Sequence, residues 1–383
     1  MTKLKLIRIT TVPISLEKAL QGQLSFMNRY YEVIGISSGK EHLGKIREKE
    51  GIRVYNVDMS RKITLIKDLK ALIKLYRFIK KEKPFIVHTH TPKAGTLGMI
   101  TAWMARVPHR LHTIAGLPLL EKTGITRKFL NFVEKITYGC ATMVYPNSNG
   151  LKEIIIEQRF CSPNKLKVIG KGSSNGIDTT HFDPKLFSLS DREQLREKYN
   201  INNNDFVFLF PGRLVTDKGI NELVSAFDEL CKTYSEVKLL LIGPDEKELD
   251  PIHKESIEII KNNKNIIHLD FQVDIRPFYY ISDALVFPSY REGFPNAVME
   301  AGAMSLPSIV SDINGCNEII KQGINGVIIP VKDKVKLQKE MEMFINSKEF
   351  LKIMASNARN EIKGKYERTY IWNELLKEYQ SLS

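Results

Sequence analysis

Short apolar runs alternate with helical patterns along all 383 residues, and this alternation leaves few folds open. The runs are too short for buried helices and are bounded by polar or glycine-containing segments, so they read as strands buried on both faces. In the first half they fall at Leu4–Ile9, Glu32–Ser37, Ile52–Val57, Phe85–Thr89, His109–Ile114, Thr142–Asn147 and Leu166–Ile169. In the second half they fall at Phe206–Phe210, Val237–Ile242, Ile266–Leu269, Ala284–Phe287, Ser308–Val310 and Gly326–Ile329. Strands joined through helices pair in parallel, so the chain is α/β, built as two doubly wound, Rossmann-like halves. The break falls at Gly170–Asp178, rich in glycine and serine, followed by Asp183-Pro184 and a polar stretch to Asn204. This predicts a first domain over residues 1–175, a hinge over 176–204 and a second domain over 205–365. Ligands of open parallel sheets bind beyond the carboxyl ends of the strands, so two facing sheets predict a ligand cleft between domains.

Charge is divided unevenly along the chain. Residues 1–180 carry 31 lysines and arginines against 13 acids, a net +18, while residues 181–383 carry 26 against 31, a net −5. A basic half implies a polyanionic partner, such as anionic lipid headgroups, a lipid diphosphate or nucleic acid; a solubilising lysine surface is the alternative. Zinc-finger spacing, an RNP-like aromatic pattern and a clear helix-turn-helix are all missing, which argues against nucleic acid. The four cysteines (Cys140, Cys161, Cys231, Cys316) are scattered, with no CxxC pair, so reduced thiols and no zinc site are expected. Lys3, Lys5 and Arg8 interrupt the first apolar run too often for a signal-peptide core. No apolar run approaches the roughly 20 residues of a spanning helix. A cytoplasmic protein, soluble or peripheral, is expected.

Two basic segments stand out in the first half. Arg61–Lys83 reads as an amphipathic helix, with Leu65, Leu69, Leu72, Tyr76 and Ile79 at helical spacing and Lys62, Lys67, Lys70, Lys74, Arg77, Lys80 and Lys81 over much of the rest. It is either a crossover helix packing its apolar stripe on the sheet or a membrane-surface helix, and its outer lysines can serve anionic lipid in either case. Ala115–Leu130 mixes leucines with Lys122, Arg127 and Lys128 after a strand end. It reads as an acceptor loop touching lipid, or as a loop packed on its own domain.

The chemistry-bearing residues lie in the second half. Glu292 and Glu300 stand in Pro288-Ser-Tyr-Arg-Glu292-Gly-Phe-Pro-Asn-Ala-Val-Met-Glu300. A strand precedes this stretch and a helix over Asn296–Met304 follows, so Glu292 falls on the turn and Glu300 about one turn into the helix. Pro295 suits a helix start, where its missing N–H costs nothing. The free N–H groups of such a turn form an anion site at the positive end of the helix dipole. Diphosphate on the N–H groups and hydroxyls on the acids would suit a nucleotide sugar. Upstream, the strand Phe206–Phe210 runs into Gly212-Arg213-x4-Lys218-Gly219. A guanidinium grips phosphate oxygens with two parallel bonds and an ammonium adds a compact charge.

Together, Gly212-Arg213-x4-Lys218-Gly219 and Glu292-Gly-Phe-Pro-x4-Glu300 resemble the retaining family 4 glycosyltransferases over essentially the whole chain. His90-Thr-Pro-Lys93-Ala-Gly-Thr-Leu-Gly98 is similar to the bacterial subgroup that extends polyprenyl-diphosphate-linked sugars for capsule, O-antigen or lipid-linked glycans. The resemblance implies a GT-B fold, two Rossmann-like domains facing across a cleft, with a final helix at about 366–383 returning to the first domain. It implies that Arg213 and Lys218, next to Gly212, bind the donor diphosphate and stabilise the leaving group. Glu292 would hold sugar hydroxyls beside the N–H groups of Gly293, Phe294 and Asn296. Glu300 would hold the ribose, and the base would rest on Phe271-Gln272-Val273. By their local sequence alone, Gln272 and Val273 read equally as ordinary loop residues. UDP is the default nucleotide, with GDP the alternative. The chain has no Asp-x-Asp, so a metal-independent enzyme without cofactor is expected, its fixed cations doing the electrostatic work. Members of the family retain anomeric configuration by same-face substitution, with no protein nucleophile.

The chain departs from the family pattern in two places. Where many relatives carry a glycine-rich loop after the first strand, it has Thr10-Thr11-Val12-Pro13-Ile14-Ser15, so the Thr11 hydroxyl is a candidate contact. Where many relatives place a histidine against the donor sugar's 6-hydroxyl, register aligns Ala115, which implies a 6-deoxy sugar. His112 then reads as structural or as lying behind the ligand, while His88 and His90 line the cleft or cap a helix, with Lys93 beside them. The implied partners are a nucleotide-sugar donor, a polyprenyl-diphosphate-linked acceptor and the anionic inner face of the cytoplasmic membrane, not nucleic acid. Other openings are a GT-B nucleotide-sugar epimerase or hydrolase, and a transferase with a soluble acceptor.

Overall fold

The computed structural model describes residues 3–60, 64–246, 248 and 250–382. Among these, the chain forms β1 (Lys5–Ile9), β2 (Glu32–Ser37), β3 (Arg53–Asn56), β4 (Ile86–His90), β5 (His109–Ile114) and β6 (Met143–Pro146). It then forms β7 (Phe206–Pro211), β8 (Val237–Ile242), β9 (Ile266–Leu269), β10 (Ala284–Phe287), β11 (Ser308–Ser311) and β12 (Gly326–Ile329). Two parallel six-stranded sheets result, ordered β3-β2-β1-β4-β5-β6 and β12-β11-β10-β7-β8-β9. Central strands are buried on both faces, polar members such as Arg8 and His88 included: Ile7 pairs with Ile34 and Val87, and Leu285 with Leu209 and Ser308. Strand order reverses between β1 and β4 and again between β7 and β10. Beyond the carboxyl ends at such a reversal the flanking loops diverge and leave a crevice for ligand.

The expected strand Leu166–Ile169 does not form. Leu166 makes a single bridge to Val144, and Lys167 N–H bonds Val144 O at 3.1 Å. The chain then turns away through Gly170 and Gly172, at φ +59° and +108°, conformations that suit residues without a Cβ.

The chain divides into two compact units, Met1–Gly176 with Arg368–Ser383, and Ile177–Glu367. The polar stretch expected to be a hinge groups with the second unit and is packed there. Its helix Leu189–Lys198 opens on a Ser188/Asp191 capping box, and the buried Arg196 guanidinium bonds Ile281 O, Asp205 O and Asp283. The last helix, Arg368–Gln380, lays Ile371, Trp372, Leu375, Leu376 and Tyr379 into the first unit.

The basic amphipathic segment forms the helix Leu65–Glu82, and Arg61 and Lys62 of the expected span lie outside the described residues. The face that packs is Ala71, Leu75 and Ile79. Leu65 and Leu69, expected in the packed stripe, are 82% and 59% exposed, together with Ile66 and Ile73. No helix among the described residues is long and apolar enough to cross a membrane.

Candidate active site

In the second unit, two loops meet at the reversal between β7 and β10. The first follows β7: Gly212 and Arg213, then a turn over Thr216–Lys218, then Gly219 opening the helix Ile220–Cys231. The second follows β10: residues 288–295, opening the helix Asn296–Ala303. They touch through backbone. Tyr290 N–H donates to Asp217 O at 2.8 Å, and a Cβ on Gly219, at φ +71°, would lie 2.2 Å from Pro288 O. Gly243, at φ +148°, brings the loop after β8 so near Gly212 that a Cβ would lie 2.0 Å from its carbonyl oxygen. Gly315 does the same at Gly293 O, 2.5 Å away.

This packing brings four expected residues to one sheet end. Lys218 and Glu292, both largely buried, form an ion pair, and Lys218 Nζ also stands 5.6 Å over the Phe287 ring. Arg213 is half exposed and pairs with Glu246. Glu300, on the first turns of its helix, keeps an accessible edge, yet burial pushes its carboxyl up to about 7. The buried Tyr279 hydroxyl donates to Glu300 Oε2 at 2.9 Å and opposes that rise. Pro295 supplies no side-chain cap to the helix Asn296–Ala303, so the dipole's positive end is not covered by its own side chain.

Local sequence did not show what holds the turn. The buried Ser289 hydroxyl lies 3.0 Å from Glu292 Oε1 and 3.1 Å from Arg291 O. Asn314 Nδ2 donates to Glu292 O at 2.5 Å and Gly293 O at 3.3 Å. Arg291 pairs with Asp217 at 2.6 Å, and Tyr290 donates to Glu222. Ser289, Tyr290 and Arg291 had a signal, their place inside the motif, and Asn314 had none. Phe294 is 8% exposed with its ring 5.2 Å from that of Tyr366, so its side chain is core and only its backbone can serve a ligand. Asn296 is exposed. Gln272 bonds Asp270 O at 3.0 Å, and Val273 is 96% exposed just past β9.

The first-unit candidates fare differently. Thr11 is buried and its hydroxyl accepts from Ala94 N–H at 3.2 Å and meets Thr91 Oγ1 at 2.8 Å. It caps the helix Pro92–Met104 from outside, so its hydroxyl is already engaged within its own unit. Lys93 is held by Asp68 at 2.8 Å, which ties that helix to Leu65–Glu82. His112 is 3% exposed, bonds Thr89 Oγ1 at 2.8 Å and lies beneath Gly95, where a Cβ would sit 2.4 Å from its ring. Its ring is thus packed within the fold, and burial holds the imidazole down to about 4. His90 ends β4, nearly buried. Ala115 is exposed after β5.

Two doubly wound parallel units, with cations and acids at the second sheet's reversal, agree with the GT-B fold that the sequence resemblance implies. The profile of the family described as "Glycosyl transferases group 1" matches residues 191–361, and that of "Glycosyl transferase 4-like" matches residues 22–148. The chain is 33% identical over 380 residues, 98% of it and 97% of the relative, to a Staphylococcus aureus capsular polysaccharide biosynthesis glycosyltransferase, CapM. It is 34% identical over 328 residues, 82% of it and 80% of the relative, to an Escherichia coli UDP-Gal:alpha-D-GlcNAc-diphosphoundecaprenol alpha-1,3-galactosyltransferase. The crystal structure of Anabaena HepE with UDP superposes with a TM-score of 0.81 at 18% identity, covering 99% of this chain and 100% of that one. The chain belongs to this glycosyltransferase family, of the group 1 and 4-like type.

Proposed function

We propose that the protein is a retaining glycosyltransferase that moves a hexosyl or N-acetylhexosaminyl group from a UDP-sugar to a polyprenyl-diphosphate-linked glycan in cell-surface polysaccharide assembly. The observation that carries the reading is the convergence of Arg213, Lys218, Glu292 and Glu300 at the reversal between β7 and β10. Arg213 and Lys218 supply fixed positive charge to a diphosphate without a metal ion. Each has a carboxylate partner that keeps it oriented until the phosphates arrive. Glu300 accepts the ribose hydroxyls, and Gln272 and Val273 flank the base. Transfer forms a bond between the acceptor oxygen and the anomeric carbon as the bond to the nucleotide phosphate breaks. The departing phosphate oxygen takes the acceptor's proton, on the same face.

The first unit suits a lipid-borne acceptor. Helix Leu65–Glu82 packs on Pro92–Met104, which packs on Gly124–Cys140. The outer helices expose Leu65, Ile66 and Leu69 on one, and Ile125, Phe129 and Phe132 on the other. Lys67, Lys70 and Lys74 flank the first set and Lys128 and Lys135 the second, an apolar surface edged with cations that matches an anionic bilayer. We place the protein at the inner face of the cytoplasmic membrane on that ground. Relatives named for undecaprenol-linked substrates support the acceptor class. The test is transfer from a panel of radiolabelled UDP- and GDP-sugars to short-chain prenyl-diphosphate N-acetylhexosamines, with EDTA present. Transfer from one UDP-sugar with the anomeric configuration kept is the expected result; an inverted product, or free sugar alone, contradicts it.

A further inference from the structure

The first unit buries a cation that has no acid. Arg8, on β1, is fully buried, and its guanidinium meets only neutral groups: Gln23 Oε1 at 2.7 Å, His90 Nε2 at 2.7 Å and the Tyr379 hydroxyl at 3.2 Å. Among the described residues no carboxylate pairs with it, and its Nε has no partner. Buried charge without a counter-charge is costly, and an apolar residue of similar size usually serves stability better. What Arg8 has that an apolar residue lacks is direction, because guanidinium only donates and cannot lose its proton.

That direction fixes the hydrogens around it. His90 Nε2 must accept from Arg8, so the single proton of His90 lies on Nδ1. The Tyr379 oxygen accepts from Arg8, and of its partners only His88 Nδ1 can then take the hydroxyl hydrogen. His88 therefore carries its proton on Nε2 and donates to Thr113 Oγ1 at 2.7 Å. The two stacked histidines, 4.5 Å apart, hold opposite tautomers. The Thr113 hydroxyl hydrogen is left to point onward.

Both ends of this chain of bonds reach one cavity. His90 and Thr113 line it with Asn147, Ser173 and Ser174, at the carboxyl ends of β4, β5 and β6, and it has room for about 20 Å³. Asn147 Oδ1 and Ser174 Oγ are buried there without a partner. Two donors and two acceptors around a space of that size match a single water molecule.

We propose that Arg8 is a positioning residue that orders every proton in this network, so that His90 Nδ1–H and Thr113 Oγ–H hold one water molecule at the ligand end of the first sheet. The proposal rests on the reading of His90 as a ligand-end residue only for its use in transfer, not for the proton order. The test is the ring-nitrogen NMR spectrum of the full-length protein with labelled histidine at pH 7, assigned with His88→Gln and His90→Gln. His90 is expected as the Nδ1–H tautomer and His88 as the Nε2–H tautomer. Arg8→Met should abolish the single tautomer of His90. Tyr379→Phe should release His88 and leave His90 as it was, and this second variant decides the matter if the first does not fold. His90 found as Nε2–H, or both rings unmoved in the variants, overturns the proposal. In the transfer assay, unchanged activity in His90→Phe with the tautomers as expected removes His90 from the acceptor reading and leaves the proton order standing.

Discussion

Burial pushes the Glu300 carboxyl up to about 7, and Tyr279 donates to it. A charged carboxylate accepts ribose hydroxyls better than a protonated one, so UDP affinity should rise as pH passes from 6 to 8. Calorimetric titration should show that rise in the native protein, a flat profile in Glu300→Gln, and a midpoint moved to higher pH in Tyr279→Phe. Stability runs the other way. Between the ordinary carboxyl value and about 7 the folded state binds more protons than the unfolded one, so the contribution of Glu300 falls as pH rises through that window. Glu300→Gln should therefore raise Tm more at pH 8 than at pH 5. Lys218 and Glu292 form one unit through their ion pair. Lys218→Ala should cut turnover about 100-fold, and combining it with Glu292→Gln should fall short of the summed losses by about 1 kcal/mol in a double-mutant cycle. Arg213, Lys218, Glu292 and Glu300 were legible in sequence because spacing along a strand, turn and helix sets their places. Tyr279 and Asn314 were not, since each reaches the site from a segment about 21 residues away along the chain. Phe294 was legible as a motif residue, but nothing local shows that its ring faces Tyr366. The bonds of the Thr11 hydroxyl were not legible, because they run to a helix that starts about 80 residues later.

At the scale of elements, the site depends on loops lying closer than side chains allow. Gly219 and Gly243 combine a positive φ with a carbonyl oxygen where a Cβ would sit. Gly219→Ala and Gly243→Ala should each cost about 1–3 kcal/mol, read by urea unfolding, and weaken UDP binding more than an alanine placed at the unobstructed Gly364. Strand positions were readable because buried parallel strands carry short, mostly apolar runs. Leu166–Ile169 has the same composition, and what denies it a strand is the glycine-directed turn that follows. The helix Leu65–Glu82 was readable from its period, but the buried face was not. Leucines on both sides satisfy the period, and only tertiary packing, with the helix Pro92–Met104 among the partners, selects Ala71, Leu75 and Ile79.

At the scale of the whole molecule, the uneven charge found in the sequence falls on the unit that also exposes Leu65, Ile66, Ile125 and Phe132. Flotation with vesicles containing anionic lipid should carry the protein upward at low salt. Binding should drop at high salt and in a variant with Leu65, Ile66 and Phe132 changed to Ser. The two-unit architecture was legible from the alternation of strands and helices, while the return of the last helix came only with the family resemblance. The central claim concerns the second unit: Arg213, Lys218, Glu292 and Glu300 form the seat of a nucleotide diphosphate. Its most direct test is calorimetric titration of the purified protein with UDP and GDP in the presence of EDTA. The account predicts UDP-selective binding that Arg213→Ala and Glu300→Ala each abolish or weaken at least tenfold, about 1.4 kcal/mol. Binding of neither nucleotide, or UDP binding untouched by both substitutions, would contradict it.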